Sequence, residues 1–92
     1  MNKPTSYQAK LVQIRTEMDT YDRLERACRE GYRDRLVEAD PRLDRQAAFH
    51  LAHNWGNGAS RALLDQFHQT STYLSRRRVR RYQILMAELR TL

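Results

Sequence analysis

Hydrophobic side chains recur at alternating steps of four and three residues through the first third of the chain. The stripe consists of Tyr7, Leu11, Ile14, Met18, Tyr21 and Cys28, with Glu25 in one intervening slot. This spacing puts the apolar side chains on one face of an α-helix. Thr5 or Ser6 can cap its start, and Gly31 can end it in a left-handed conformation. The pattern therefore predicts a helix of about 25 residues.

The other faces of this helix are densely and evenly charged. Acidic and basic side chains stand four residues apart at Asp19–Arg23, Asp22–Arg26 and Glu25–Arg29. Pairs at this spacing stabilise an exposed helix by about 0.2–0.5 kcal/mol each. We therefore expect these charges to support the helix locally.

Two further helices are predicted after a short helical turn at Tyr32–Ala39. Asp40-Pro41 is typical of a helix start, with the aspartate as cap and the proline at the first helical position. Gly56-Asn57-Gly58 tolerates positive φ and breaks the second helix, and the third begins near Ala59 or Ser60. The side chains expected in the core are Leu43, Ala47, Leu51 and Trp55 from the second helix, and Leu63, Phe67 and Leu74 from the third.

The last third of the chain is open to two interpretations. Thr70-Ser71-Thr72 is weak in helix propensity and predicts a bend or break. Val79, Tyr82, Met86 and Leu89 then restart an apolar helical stripe. The alternative is a pair of short strands near residues 70–85, since β-branched and aromatic residues are frequent there. The spacing favours helix, so the fold class is mostly α: a small helical bundle with a long N-terminal helix.

Length and composition limit the classes of protein to which this chain can belong. Ninety-two residues allow a single domain, 1–92, and an apolar content of 40% argues against disorder. The single cysteine, Cys28, excludes an internal disulfide and fits a reducing compartment. No apolar run approaches the roughly 20 residues that span a bilayer, and residues 1–10 lack the apolar stretch of a signal peptide. We expect a cytoplasmic protein without membrane contact.

Positive charge is concentrated near the C-terminus. Residues 1–38 hold eight basic and seven acidic side chains, and residues 39–70 hold three of each. Residues 71–92 hold six basic side chains and one acidic one, a balance of +5 within a whole-chain charge of +6. A local field of this size attracts a polyanion or a strongly acidic surface.

The candidate binding site is an arginine run within this basic segment. It consists of Arg76, Arg77, Arg78, Arg80 and Arg81, with Tyr73 beside it as a side chain able to stack on a base. Because Val79, Tyr82, Met86 and Leu89 form the apolar stripe, we expect the arginines on the opposite and flanking faces. The planar guanidinium suits bidentate contacts with phosphate or carboxylate. A purely solvated helix face is the alternative interpretation.

Other candidate chemistry is weaker. His50 and His53 lie three residues apart, but no carboxylate or cysteine completes a metal site. The residues around Gly56 lack the nucleotide-binding loop pattern and match the DNA-reading helix-turn-helix family poorly. Cys28 follows the helical stripe as a small core residue. We therefore predict no enzyme activity, no cofactor and no metal.

The chain is short, basic and rich in predicted helix, and it contains the segment Ser75-Arg76-Arg77-Arg78-Val79-Arg80-Arg81-Tyr82. In these features it resembles phage anti-CRISPR inhibitors of multi-subunit, RNA-guided effectors. The resemblance implies a protein of the bacterial host cytoplasm that competes for the nucleic-acid path of an effector and blocks target-DNA binding. Its partners would be guide RNA and effector subunits. The alternative is a protein–protein interaction factor that docks on an acidic protein surface without touching nucleic acid. A monomer is favoured over a homodimer.

Overall fold

Two long helices, joined by a short helical connection, make up most of the molecule. The computed structural model describes residues 5–92, apart from the side chain of Ala59. Helix α1 spans Ser6–Ala39, a 3₁₀ helix spans Pro41–Leu43, α2 spans Ala47–His53 and α3 spans Gly58–Arg90. Helices α1 and α3 pack antiparallel in a hairpin that measures 57 × 25 × 14 Å. The predicted mostly helical class with a long N-terminal helix is confirmed.

The start of α1 is fixed by a reciprocal cap. The Thr5 hydroxyl accepts from the backbone N–H of Gln8 at 3.1 Å, and the Gln8 side chain accepts from the backbone N–H of Thr5 at 3.1 Å. These two bonds satisfy backbone donors that the first helical turn leaves unpaired. The predicted cap at Thr5 is confirmed.

The predicted helix end at Gly31 is wrong. Helix α1 continues through Gly31 to Ala39, and Asp40 then turns the chain with φ −145° and ψ 94°. A glycine inside a helix costs about 1 kcal/mol relative to alanine. Beyond it, however, Leu36 is completely buried and the Tyr32 ring lies 5.7 Å from that of Phe67. Packing of this last part of the helix outweighs the local preference of glycine.

The predicted α-helix start at Asp40-Pro41 is wrong, because this pair begins a three-residue 3₁₀ helix and α2 begins only at Ala47. Asp40 accepts from the backbone N–H of Arg42 at 3.1 Å and caps the 3₁₀ helix rather than an α-helix. Helix α2 ends at Asn54, which is left-handed with φ 54°. Gly56 follows in a tight passage, because a Cβ at this position would lie 2.6 Å from Leu64 Cδ1. The predicted break between the second and third helices is confirmed.

Helix α3 runs without interruption from Gly58 to Arg90. The predicted bend at Thr70-Ser71-Thr72 is therefore wrong, and so is the strand alternative, because residues 70–85 all lie inside this helix. Thr70 and Ser71 are half-buried in the hairpin. Contacts along α1 thus stabilise a stretch whose helix propensity is low.

The hydrophobic core is divided into two clusters at opposite ends of the hairpin. The connection-end cluster contains Leu36, Ala47, Leu51, Leu64 and Phe67. The open-end cluster contains Ile14, Met18, Leu85 and Leu89. On α1 the predicted stripe is confirmed at its centre, but Tyr7 and Leu11 are exposed by 52% and 42%. Trp55, which was expected in the core, is 60% exposed because the chain leaves the α2 stripe at Asn54.

The predicted apolar face of α3 is confirmed at its C-terminal end, where Leu89 is buried and Met86 packs against the open-end cluster, but not further back along the helix. Val79 and Tyr82 are 52% and 45% exposed, whereas Leu85, which lies outside the predicted stripe, is completely buried. The seam, meaning the positions of α3 that face α1 between the two clusters, contains Leu74, Arg78, Arg81 and Leu85. Their steps of four, three and four residues keep them on one helical face. Apolar residues alone did not indicate this face because two of its positions are arginine.

Neither long helix could cross a membrane. Polar and charged side chains interrupt every apolar stretch of the helices described within residues 5–92.

We predict that Leu85→Ala destabilises the protein by about 2–5 kcal/mol, because it removes a fully buried side chain from a small cluster. Val79→Ala is the matched control on the same helix and should change stability by no more than about 0.5 kcal/mol. Urea unfolding followed by circular dichroism measures both. Equal losses of stability in the two variants would show that α3 turns a different face toward α1.

Candidate nucleic-acid interface

The arginine run lies in the middle of α3, between the two apolar clusters. The six residues from Arg76 to Arg81 span more than one and a half helical turns. At about 100° per residue the five arginines are spread over about 200° of the helix circumference, so they cannot all share one environment. Arg78 and Arg81 occupy the seam and are half-buried. Arg76, Arg77 and Arg80 are exposed. The expectation that the whole run avoids the seam is therefore wrong for two of its members.

Arg81 makes the best-formed ion pair across the seam. Its Nε donates to Glu17 Oε2 at 3.1 Å and its Nη2 donates to Glu17 Oε1 at 3.0 Å. The side chains retain only 35% and 31% exposure. Hydrogen bonding from Arg81 lowers the pKa of the Glu17 carboxyl below its ordinary value, and the same contact raises the pKa of Arg81. Both groups therefore carry their charges at neutral pH.

Arg78 is held by a second acidic residue of α1. Its Nε lies 3.2 Å from Asp22 Oδ1, but this buried nitrogen has no hydrogen-bond partner in the described part of the chain. The contact is an ion pair whose N–H does not point at the oxygen. One turn earlier in α3, the Ser75 hydroxyl donates to Glu25 Oε1 at 3.4 Å. Asp22 and Glu25, which the sequence paired within α1, thus make contacts across the seam.

Arg77 lies beside the seam and binds hydroxyls instead of carboxylates. Its Nε donates to the Tyr21 hydroxyl at 3.1 Å, and its Nη1 donates to the Tyr73 hydroxyl at 3.0 Å. These hydrogen bonds raise the pKa of Arg77. Neutral hydroxyls do not cancel its charge, and a guanidinium has five N–H donors. Arg77 therefore keeps a full positive charge and further donors for a ligand.

Arg76 and Arg80 form a ridge on the exposed side of α3. Neither lies within ion-pair distance of a carboxylate among residues 5–92. On one side of the ridge is an open cavity of about 770 Å³ lined by Thr72, Tyr73, Arg76, Arg77 and Arg80, among others, and the seam residue Arg81 also contributes to its wall. On the other side Val79 and Gln83 line a shallower groove. Both arginines present their guanidinium groups to solvent.

The predicted site therefore separates into two sets. We call Arg76, Arg77, Arg80 and Tyr73 the basic patch, since three charges with no carboxylate partner among residues 5–92 lie beside a ring that is 58% exposed. Arg78 and Arg81 join α3 to α1. Sequence reasoning missed Tyr21, Glu17 and Asp22 as partners of the run. Their positions on α1 were visible, but the partners depend on the antiparallel register of the two helices.

The two histidines that the sequence suggested as metal ligands form hydrogen bonds with nearby backbone carbonyl groups. His50 Nδ1 lies 2.6 Å from the Trp55 carbonyl oxygen, and His53 Nδ1 lies 2.9 Å from that of Phe49. A carbonyl oxygen only accepts, so both Nδ1 atoms donate. Within the described part of the chain, no group of three or more His, Cys, Asp or Glu side chains could hold a metal ion. Burial raises the pKa of the Cys28 thiol, which disfavours a reactive thiolate.

No protein-family model, no curated protein and no solved structure matches this chain. Its function has to be argued from its own residues and their arrangement.

We predict that Glu17→Gln lowers the free energy of unfolding at neutral pH by about 0.5–1 kcal/mol, because the pair with Arg81 is partly solvated. The folded-state pKa of Glu17 is lowered, so its contribution is present above the ordinary carboxyl pKa and is lost as the pH falls through the folded value.

The difference between wild type and Glu17→Gln should therefore shrink toward zero as urea unfolding is repeated from pH 7 to about pH 3. Other carboxyl groups titrate equally in both proteins and cancel from the difference. A difference that stays constant over this range would contradict a charged pair at the seam.

Proposed function

We propose that this protein is a non-enzymatic module that binds nucleic acid through the basic patch of α3. One observation carries the proposal: Arg76, Arg77 and Arg80 lie together on an exposed surface with no carboxylate partner among residues 5–92. The neighbouring Arg78 and Arg81 take up the acidic side chains within reach on α1. The remaining guanidinium groups are available to an external anion.

The electrostatics of the hairpin favour a polyanion on this patch. Like charges four residues apart, as at Arg76 and Arg80, destabilise a helix by a few tenths of a kcal/mol. A bound phosphate removes that repulsion and accepts charge-assisted hydrogen bonds from the guanidinium forks. Helix α1 holds seven basic and seven acidic residues and adds no opposing net field. Phosphate contacts of this kind supply most of the affinity of non-specific nucleic-acid binding.

The narrower proposal follows from the resemblance to anti-CRISPR inhibitors. An RNA-guided effector holds its guide and target in a positively charged channel. A basic hairpin would be repelled by the bare channel walls, so the patch would meet guide RNA or an acidic surface beside it. The near-neutral α1 would then contact the protein subunits. Such an inhibitor forms a stoichiometric complex that blocks target-DNA binding by competition.

A second candidate function is docking on an acidic protein surface. It is favoured by exposed aromatic side chains at the connection end, where Phe49 and Trp55 pack edge to face at 5.2 Å and are 45% and 60% exposed. Aromatic side chains are enriched in protein interfaces. A protein of this class would bind its partner at physiological salt but would retard neither DNA nor RNA.

We predict that Arg76→Gln/Arg80→Gln and Arg78→Gln/Arg81→Gln have opposite effects, although each removes two charges from the same short segment. The first variant should lose at least about tenfold in affinity for nucleic acid, since one hydrogen bond to a charged group is worth about 1.5 kcal/mol or more. Its unfolding midpoint should not fall. The second should unfold more easily and, while folded, keep most of its affinity.

Gel shifts with random-sequence DNA and RNA measure the affinity, and urea unfolding measures the stability. Equal loss of affinity in both variants would mean that net charge matters and the arrangement of the patch does not. Absence of any shift by the wild type at physiological salt would overturn the proposal in favour of a protein partner.

A further inference from the structure

We propose that the ligand of the basic patch is a single strand of nucleic acid, with the ring of Tyr73 as a stacking platform for one unpaired base. This inference rests on the proposed function and names the class of nucleic acid. The phosphates flanking that base would be bound by Arg76, Arg77 and Arg80.

The ring of Tyr73 is both exposed and held in place. It is 58% exposed, and its hydroxyl accepts from Arg77 Nη1 at 3.0 Å. Arg77 is itself held by the Tyr21 hydroxyl on α1 at 3.1 Å. The chain of contacts from α1 to Tyr73 restrains the ring before any ligand arrives. Because the ring is already restrained, less side-chain conformational entropy is lost when a base stacks on it.

The phosphate-binding groups lie at a suitable distance from this ring. Arg76 and Arg77 follow Tyr73 by three and four residues, so all three lie on neighbouring positions of the helix surface. Arg80 lies one turn further, about 6 Å along the axis from Arg76. A base on Tyr73 would therefore have cations beside it and one turn beyond it, as a continuous strand requires.

The cavity beside the ring has room and a polar group for a base. Its volume of about 770 Å³ falls within the usual range of small-molecule sites, roughly 300–1,000 Å³. Gln69 and Thr72 are exposed residues that line this cavity, so polar side chains are available to the edge of a stacked base.

A duplex would use this arrangement poorly. Paired bases are stacked on one another, so a duplex presents phosphates to the patch but no free base face to Tyr73.

The test compares four ligands by fluorescence anisotropy at one salt concentration: a single-stranded RNA, the single-stranded DNA of the same sequence, its duplex, and heparin as a polyanion without bases. The proteins are wild type, Tyr73→Ala and Tyr82→Ala. Tyr82 is the matched control because it is an exposed tyrosine of the same helix that does not line the cavity. Circular dichroism verifies that each variant is folded.

Wild type should bind a single strand more tightly than the duplex. Tyr73→Ala should weaken single-strand binding by about 5- to 150-fold, the usual effect of removing one stacked aromatic, and leave duplex and heparin binding almost unchanged. Tyr82→Ala should match wild type. Weaker binding of Tyr73→Ala to either the RNA strand or the DNA strand supports the inference. The strand that is affected identifies the preferred sugar.

Two further variants separate the ring from its hydroxyl. Tyr73→Phe retains the stacking face without the bond to Arg77 and should keep most of the affinity, whereas Tyr73→Leu should lose it. Unchanged single-strand binding in Tyr73→Ala and Tyr73→Leu would overturn the stacking role. If Arg76→Gln/Arg80→Gln still loses binding in that case, the proposed function stands and this inference alone falls.

Discussion

The two long helices of the hairpin are linked by polar contacts along the part of the seam between Leu74 and Leu85. The two apolar clusters of the hairpin lie at opposite ends, and between them α1 meets α3 through Arg81–Glu17 and Arg78–Asp22. Partly buried ion pairs of this kind add little net stability, because desolvation offsets most of the attraction. In the observed register Arg81 meets Glu17, Arg78 meets Asp22 and Ser75 meets Glu25. These polar contacts accompany the register in which the two apolar clusters are packed.

Because two arginines of the run form ion pairs with α1, only the other three are available to an external ligand. Helical geometry turns Arg76 and Arg80 away from the acidic side chains that Arg78 and Arg81 occupy, and Arg77, beside the seam, meets the Tyr21 hydroxyl instead. The contacts that close the seam thus also separate the run into structural and available charges. Tyr21 connects the two sets, because it lies on α1 and accepts from Arg77. We infer that the basic patch is positioned by the same seam that holds the fold together.

Much of the fold could be predicted from the sequence because its signals are local. The Thr5 cap and the break around Gly56 each depend on a few adjacent residues, and both are confirmed. Asp40-Pro41 also begins a helical turn, but it is a 3₁₀ helix and not the predicted α-helix. The errors at Gly31 and at Thr70-Ser71-Thr72 have a common cause. In both places propensity favours a break, but contacts with a distant part of the chain keep the helix continuous.

The site was predicted less completely than the fold. The sequence located the arginine run and Tyr73, but an apolar pattern could not show that Arg78 and Arg81 belong to the seam. Their partners lie more than fifty residues away and become neighbours only in the antiparallel register. One signal was available: Glu17 and Asp22 flank the apolar stripe of α1, where acidic residues can meet cations from a facing helix.

The most direct test of the account is the salt dependence of single-strand binding by the wild-type protein. Each phosphate neutralised on a single strand contributes about −0.7 to the slope of log K against log salt concentration. Three available arginines predict a slope of about −2, because Arg78 and Arg81 remain bound to α1. A slope of about −3.5, the value for five contacts, would contradict the division of the run and show that the seam arginines also reach the ligand.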